Sequence, residues 1–433
     1  MGLMLLTFLI FLLAGAPIVF SFAFSSIIYL ILNPNMASIL PPILYSSLDS
    51  FPLLAIPLFL YAGDIMSEGG ISKNIIAFAS VMIGKVRGYL GAITVFSCAF
   101  FAAISGSGVA TVGAIGKMMI PEMVKNGYPR GYASVLTATA AFLGVIIPPS
   151  IPMILYGYMS NTSIAELFIG GIIPGIILVL LFLIINYFYS NKFQKNNDSF
   201  ESNYQEELEI KQNKFFSIIK TARSSIMALL MPVIILGGIY SGIFTPTEAA
   251  AVSVVYAILI GFFVYRDLNL KIFYSLTKNT AYTTTFLMIT LVFATVFSRI
   301  LTVEQIPKKL AEFMVNLFPA EWMIIVTIIV FLLVLGMLMD TVTSVIIATP
   351  ILVPIATTIG LDLVHFGVVL TLLLAIGQIT PPMAINLFLS SQISGATFKE
   401  QLSYLVPFII GSLFVAILLT FIPIIVLFLP GFL

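Results

Sequence analysis

Long apolar runs, punctuated by short clusters of Gly, Pro, Ser and Asn, organise this chain almost throughout. Stretches such as 226–239 are apolar without strict alternation, so they read as helices that are hydrophobic on every side. A spanning helix needs roughly 20 apolar residues, and the sequence offers about eight to eleven such passages. A transmembrane barrel fits poorly, because its strands alternate in segments of about ten residues. The pattern predicts one long, bent helix over 3–32 and a Pro/Asn/Ser-rich connection to Ser50. Segments 51–66 and 71–83 flank the break Ser67-Glu68-Gly69-Gly70, as a re-entrant hairpin or two parts of a broken helix. Segment 88–104 runs into Ser105-Gly106-Ser107-Gly108, with 109–123 beyond it. Segment 132–156 carries Pro148, Pro149 and Pro152, and 167–188 completes the first half. The second half is predicted as 225–240, 249–265, 283–300, a mixed segment 303–317, then 322–339, 341–357, 364–379 and 404–428.

Residues 191–222 differ in kind. They hold ten of the chain's 37 formal charges, five Lys and five acids, and read as a solvent-exposed linker. The resulting organisation is an N-terminal membrane segment and connection (1–50), a first repeat (51–190), a charged cytoplasmic linker (191–222), scaffold helices (223–278) and a second repeat (279–433).

Composition agrees with a lipid-facing exterior. Only 9% of the 433 residues are charged and 60% are hydrophobic, whereas soluble domains are about 25% charged. A net charge of +1 offers no dominant surface for nucleic acid. The single cysteine, Cys98, excludes an intrachain disulfide and any multi-cysteine metal site. One His, one Cys and no HExxH give an intramembrane enzyme nothing to work with, so no catalytic residue is assigned. Lys85/Arg87, Lys125/Arg130, 192–220 and 266–278 are the basic loops, and cytoplasmic loops carry the excess of Lys and Arg.

The most informative pattern is internal. Sliding the chain by 233 residues sets Pro121 on Pro354, Gly127 on Gly360, Gly144 on Gly377, Pro148-Pro149 on Pro381-Pro382 and Pro174 on Pro407. A double proline removes two backbone donors and leaves upstream carbonyls without intrahelical partners. Irregular backbone at membrane depth survives only inside protein or along a cavity. Interrupted segments at matched positions of two halves therefore point to the central site of a secondary transporter.

Each repeat supplies two such elements. The first has Ser105, Gly106, Ser107 and Gly108, then Pro148, Pro149 and Ser150; the second has Asp340, Thr341 and Ser344, then Thr380, Pro381 and Pro382. Hydroxyl and carbonyl oxygens suit a hard cation such as Na⁺, and these are the candidate ion-binding residues; no cofactor is expected beyond Na⁺ as coupling ion. Thr111, Arg299 and Asn386 are the candidate substrate contacts, Arg299 for its bidentate fork and Asn386 for its amide donor. Each has a plainer reading. The GxG permits tight helix packing, Asp340 caps the helix after it, and Glu248 closes a capping box from Thr245. Lys117 has no assigned role.

Seven segments carry a resemblance: PLFLYAGDIMSEGGIS (57–72), FFAAISGSGVATVGAIG (100–116), IPEMVKNGY (120–128), GVIIPPSIPMILYG (144–157), GGIIPG (170–175), GGIYSGIFTPTEAAAV (237–252) and IGQITPPMAINLF (376–388). Together they resemble the large membrane subunit of tripartite ATP-independent periplasmic (TRAP) transporters, DctM-like. The resemblance implies an all-α, inverted-repeat, elevator-type carrier with re-entrant hairpins and broken helices. It implies sodium-coupled uptake of a small organic acid anion across the bacterial inner membrane. Its partners would be a small four-helix membrane subunit and a periplasmic substrate-binding protein. Room before Phe51 for one or two segments leads to the expectation that the small subunit is a separate chain. The alternative is a self-sufficient ion-coupled symporter or antiporter needing no binding protein.

Overall fold

The computed structural model describes residues 1–84, 86–194, 214–318 and 320–432, all helical or irregular with no strand among them. The N-terminal run is two helices rather than one. α1 (Gly2–Leu13) and α2 (Ile18–Leu32) are separated by Ala14-Gly15-Ala16-Pro17, where Gly15 takes φ +74. α2 folds back so that Phe22 meets Phe8 at 5.2 Å. Apolar composition hid the turn, and the arms, twelve and fifteen residues or about 18 and 22 Å, are each shorter than the roughly 30 Å hydrocarbon core.

The rest follows in order: α3 (Leu40–Ser46), α4 (Ala55–Glu68), α5 (Ile71–Ile83) and α6 (Tyr89–Ser105). α7 covers 108–125: it is α-helical over Gly108–Thr111, opens into a π-turn over Val112–Gly116 and resumes over Lys117–Lys125. α8 covers 130–146, and α9 (Ile151–Ser160) continues it after the proline break. α10 (Ile164–Gln194), α11 (Lys214–Tyr240), α12 (Pro246–Val264) and α13 (Leu270–Val303) follow. Then come α14 (Ile306–Leu317), α15 (Glu321–Leu338), α16 (Thr341–Thr358), α17 (Leu363–Gly377), α18 (Ile385–Ser394) and α19 (Phe398–Phe421). Among the described residues, eight helical segments are long and apolar enough to cross a membrane. Three expected boundaries fall inside helices: 190/191 in α10, 222/223 in α11 and 278/279 in α13. Most of the expected linker, 195–213, lies outside the described residues. α18 and the short α3 were not anticipated; α18 is masked in the sequence by its polar content, Asn386, Ser390, Ser391 and Gln392.

The 233-residue offset is structural. It carries α7 onto α16, α8 onto α17 and α9 onto α18, within two residues at the ends. Gly127 and Gly360 both close their helix pair with positive φ, +83 and +71, and the matched proline pairs are both cis.

Contacts at the ends fix the relative direction of the repeats. One end gathers Gly88, Tyr132, Asn186 and Tyr404: the Tyr132 hydroxyl donates to Asn186 Oδ1 at 2.9 Å, Asn186 Nδ2 donates to the Gly88 carbonyl at 2.9 Å, and the Tyr132 and Tyr404 rings meet edge-on. The other end joins Tyr156 to the Leu363 carbonyl at 2.8 Å and His365 to the Leu419 carbonyl at 2.9 Å. α8–α9 therefore runs from the first end to the second, and its counterpart α17–α18 runs back. The repeats are inverted. The first end bears Arg87, Lys125, Arg130 and Lys399, whereas the second bears Glu166, Glu321 and Asp362 together with Lys308 and Lys309 at the start of α14, where Lys309 donates to the Glu304 carbonyl.

Inversion gives a direct expectation. In a Cys98→Ala background, Lys125→Cys and Thr358→Cys, matched and both exposed, should react with an impermeant maleimide from opposite faces of the membrane. Labelling of both from one face contradicts the arrangement.

Asn186 is the polar pin of the basic end. It is 2% exposed, and its two side-chain bonds tie α10 to the start of α6 at Gly88 and to Tyr132 on α8. Asn186→Ala leaves the Tyr132 hydroxyl buried without its acceptor, at about 1–3 kcal/mol, and strips the Gly88 carbonyl of one of two donors, Ala92 N–H remaining at 3.0 Å. The detergent-solubilised protein should unfold several degrees lower; an unchanged midpoint argues against the pin.

Candidate ion and substrate site between the two breaks

Two helix hairpins and two broken helices meet in the interior. In the first hairpin, α6 ends at Gly106, whose φ is +61, and α7 returns alongside it, Thr94 meeting Met123 at 3.7 Å. The tip is capped from within: Ser107 Oγ accepts from the Ala110 N–H, Thr111 Oγ1 donates to the Ser107 carbonyl at 2.8 Å, and Ser105 Oγ lies 3.2 Å from Thr111 Oγ1. This tip presses on the first break. A Cβ on Gly106 would lie 2.6 Å from the Pro149 carbonyl oxygen, so no side chain fits. Ser150 caps α9 by accepting from Met153 N–H and donates back to the Val145 carbonyl.

The second hairpin repeats the construction. α15 ends at Leu338, and Asp340 caps α16 by accepting from Thr343 N–H at 3.0 Å. A Cβ on Gly377 would lie 2.2 Å from the Gly336 carbonyl carbon, which is helix backbone against helix backbone. Met383 N–H bridges to the Met337 carbonyl at 3.2 Å, tying the second break to the second tip. Thr380 Oγ1 returns to the Ile376 carbonyl at 2.8 Å.

The two halves then touch each other. A Cβ on Gly108 would lie 2.9 Å from Asn386 Nδ2 and 3.0 Å from Gln378 Oε1, so the first hairpin tip faces the second break. In exchange, α9 packs along α16. Nearly all of the sequence-assigned ion ligands thus fall in one interior region. Gln378 was missed, although a lone amide in an apolar run was the available signal.

The repeats are not equivalent in saturation. In the first, the hydroxyls of Ser105, Ser107, Thr111 and Ser150 all have protein partners. In the second, Thr341 Oγ1, Ser344 Oγ, Thr349 Oγ1 and Asn386 Oδ1 are four of the ten buried side-chain atoms without a partner among the described residues. Buried polar atoms are normally satisfied, and exceptions mark strain, water or an ion. The breaks also differ in access: Pro148, Pro149 and Ser150 are buried, whereas Pro382 and Met383 are exposed.

Two expected roles change. Asn386 was to donate to an anion, yet its amide nitrogen donates to Gln378 Oε1 at 3.4 Å and the unpaired atom is the carbonyl oxygen. Arg299 takes no part in the contacts between tips and breaks. It is exposed on α13, beside Phe297, whose ring packs on Phe8 and Phe22 of the N-terminal helices. Thr111 is spent within the first tip. His365 is buried and hydrogen-bonded as a packing residue, and Thr245 and Glu248 form the expected capping box.

Comparison with known proteins places this arrangement. The family model described as tripartite ATP-independent periplasmic transporter, DctM component, matches residues 5–425. The isethionate TRAP transporter permease protein DctMQ of Oleidesulfovibrio alaskensis is 37% identical over 98% of this chain, which spans 65% of that relative's length. The C4-dicarboxylate TRAP transporter large permease protein DctM of Pseudomonas aeruginosa is 36% identical, covering 93% of this chain and 92% of the relative. The sialic acid TRAP transporter large permease protein SiaM of Vibrio cholerae is 34% identical over 96% and 95%. Among solved structures, the Alcanivorax borkumensis YdaH transporter has the same fold at TM-score 0.57 and 13% identity, with 87% of each chain covered. With the inverted hairpins and breaks in place and the family model matching nearly end to end, this chain belongs to the DctM family of TRAP transporter large membrane subunits.

Proposed function

We propose that this chain is the transport subunit of a tripartite system that takes up a small organic acid anion across the bacterial inner membrane, driven by Na⁺. The observation that carries the coupling ion is the set of unpaired buried oxygens at Thr341, Ser344 and Asn386. Thr341 and Ser344 lie at the second tip and Asn386 at the second break, and their hydroxyl and amide oxygens are ligands of the kind a hard cation takes. The first-repeat set, Ser105–Gly108 with Pro148–Ser150, is the companion ion region. Asp340, Thr380, Pro381 and Pro382 border the second.

The anion would sit between the two tips. No basic side chain is found among the residues that join them, so the positive field must come from the helix starts at Gly108, Ile151, Thr341 and Ile385 and from bound Na⁺. Na⁺ occupancy and anion affinity are thereby coupled. The basic end faces the cytoplasm. An elevator movement of hairpins and broken helices against α1–α4 and α11–α13 delivers the site from one face to the other.

The partners are a small four-helix membrane subunit and a soluble periplasmic binding protein. Reconstitution tests this. Proteoliposomes holding both membrane subunits should take up a labelled C4-dicarboxylate, sialic acid or isethionate only when the cognate binding protein is added outside. Equal uptake without it would instead identify a self-sufficient symporter.

A further inference from the structure

One charged side chain has no part in that transport scheme. Lys117 is exposed on α7 and has neither ion-pair nor hydrogen-bond partner among the described residues. It follows the π-turn Val112–Gly116, and the matched position in the second hairpin, within an unbroken α-helix, is Pro350. π-turns re-aim the residues after them and recur at functional sites.

Its surroundings form a groove. α7 and α18 run side by side from the central site towards the basic end: Gly108 faces Asn386 at the inner end, and Gly116 faces Ile393 further out. α8 closes the floor, with Thr137 also against Gly116. On the open side, α7 presents Val109, Gly113 and Lys117 at four-residue spacing, and α18 presents Phe388 and Gln392. A Cβ on Gly113 would meet nothing within 4 Å. Lys117 lies nine residues along α7 from Gly108, about 13 Å. A lysine this far from its helix end is costly against lipid and marks a polar path by default. The nearest acid along α7, Glu122, is five residues on and about 140° around the helix, and it accepts from Asn126 at 3.0 Å.

We propose that this groove is a second anion station, for a carboxylate or sulfonate, on the cytoplasmic side of the central site, with Lys117 as its cation and Gln392 as its amide donor. The proposal rests on the transport reading for its purpose. An anion leaving the neutral central site would meet the first fixed positive charge here, and the station would favour release towards the cytoplasm.

Charged thiol reagents test the groove without needing transport or the true substrate. Gly113→Cys and Gln392→Cys, each made in the full chain with Cys98→Ala, are reacted in inside-out and right-side-out vesicles. The probes are sulfonatoethyl and trimethylammonioethyl methanethiosulfonate. Both cysteines should react from the cytoplasmic face, and the anionic-to-cationic rate ratio should fall about fivefold on adding Lys117→Gln, the size expected for one charge at close range in a wet groove. Lys117→Arg should keep the ratio. Cys98 is buried, so the native background serves if Cys98→Ala is poorly produced. No reaction from the cytoplasmic face, or a ratio indifferent to Lys117→Gln, overturns the station. Labelling is read independently of uptake, so loss of uptake speaks to the transport reading and a silent groove speaks to the station alone.

Discussion

Gly377→Ala should abolish uptake while leaving the chain inserted in the membrane. The new Cβ would be 2.2 Å from the Gly336 carbonyl carbon and 2.5 Å from its Cα, where carbon pairs need about 3.5–4.0 Å. Neither atom is the end of a flexible side chain, so α15 and α17 must separate by more than an ångström. Overpacking of this kind costs about 1–3 kcal/mol in stability, which the extensive helix packing can absorb. The site cannot absorb it. The Met383–Met337 bond at 3.2 Å and the position of Thr341 both depend on that approach, and a 1 Å misplacement of a positioned group can cost about a hundredfold. Initial uptake per reconstituted carrier should therefore fall at least that far. Gly360→Ala is the control: its φ of +71 is strained for alanine, but nothing lies within 4 Å, and transport should stay near normal. A Gly377→Ala rate within twofold of the parent would show that the close approach does not position the site.

Ser344→Ala should raise the Na⁺ concentration for half-maximal uptake by about tenfold. Its hydroxyl is buried with no partner among the described residues, so removing it breaks none of their hydrogen bonds and costs a bound cation one oxygen ligand. A hydrogen bond or ligand contact to a charged group is worth about 1.5–3 kcal/mol, and 1.4 kcal/mol is one decade in affinity. Asn386→Leu should act in the same direction. Ser150→Ala provides the contrast: its hydroxyl caps α9 and bonds Val145, so its removal should lower stability more than Na⁺ affinity. If Ser344→Ala left the Na⁺ dependence unmoved, the unpaired oxygens would have to be explained by water.

The repeat and the breaks were legible because Gly and Pro carry backbone meaning that does not depend on partners. An offset of 233 residues in Pro and Gly reappears as matched helix ends, and Arg87, Lys125 and Arg130 of the basic loops reappear at one end of the fold. What stayed hidden depends on three-dimensional neighbours. The turn at Gly15 was lost in a run apolar on both sides. α18 was missed because its polar residues face α8 and α19, with Gln401 Nε2 bonded to Ser134 Oγ and the Leu387 carbonyl. Asn386 was named for its amide donor, and only the fold shows that nitrogen donating to Gln378 Oε1 while the carbonyl oxygen has no partner among the described residues. Arg299 was chosen for its chemistry in an apolar passage, and the structure sets it on an exposed face.

The central claim is that Na⁺ drives the anion inward through this site. Its most direct measurement uses proteoliposomes carrying both membrane subunits, loaded binding protein outside, and an inward Na⁺ gradient at fixed pH and membrane potential. The account predicts accumulation of the labelled anion above its external concentration, collapsing when Na⁺ is replaced by choline or equilibrated across the membrane. Accumulation of equal extent in choline would contradict it.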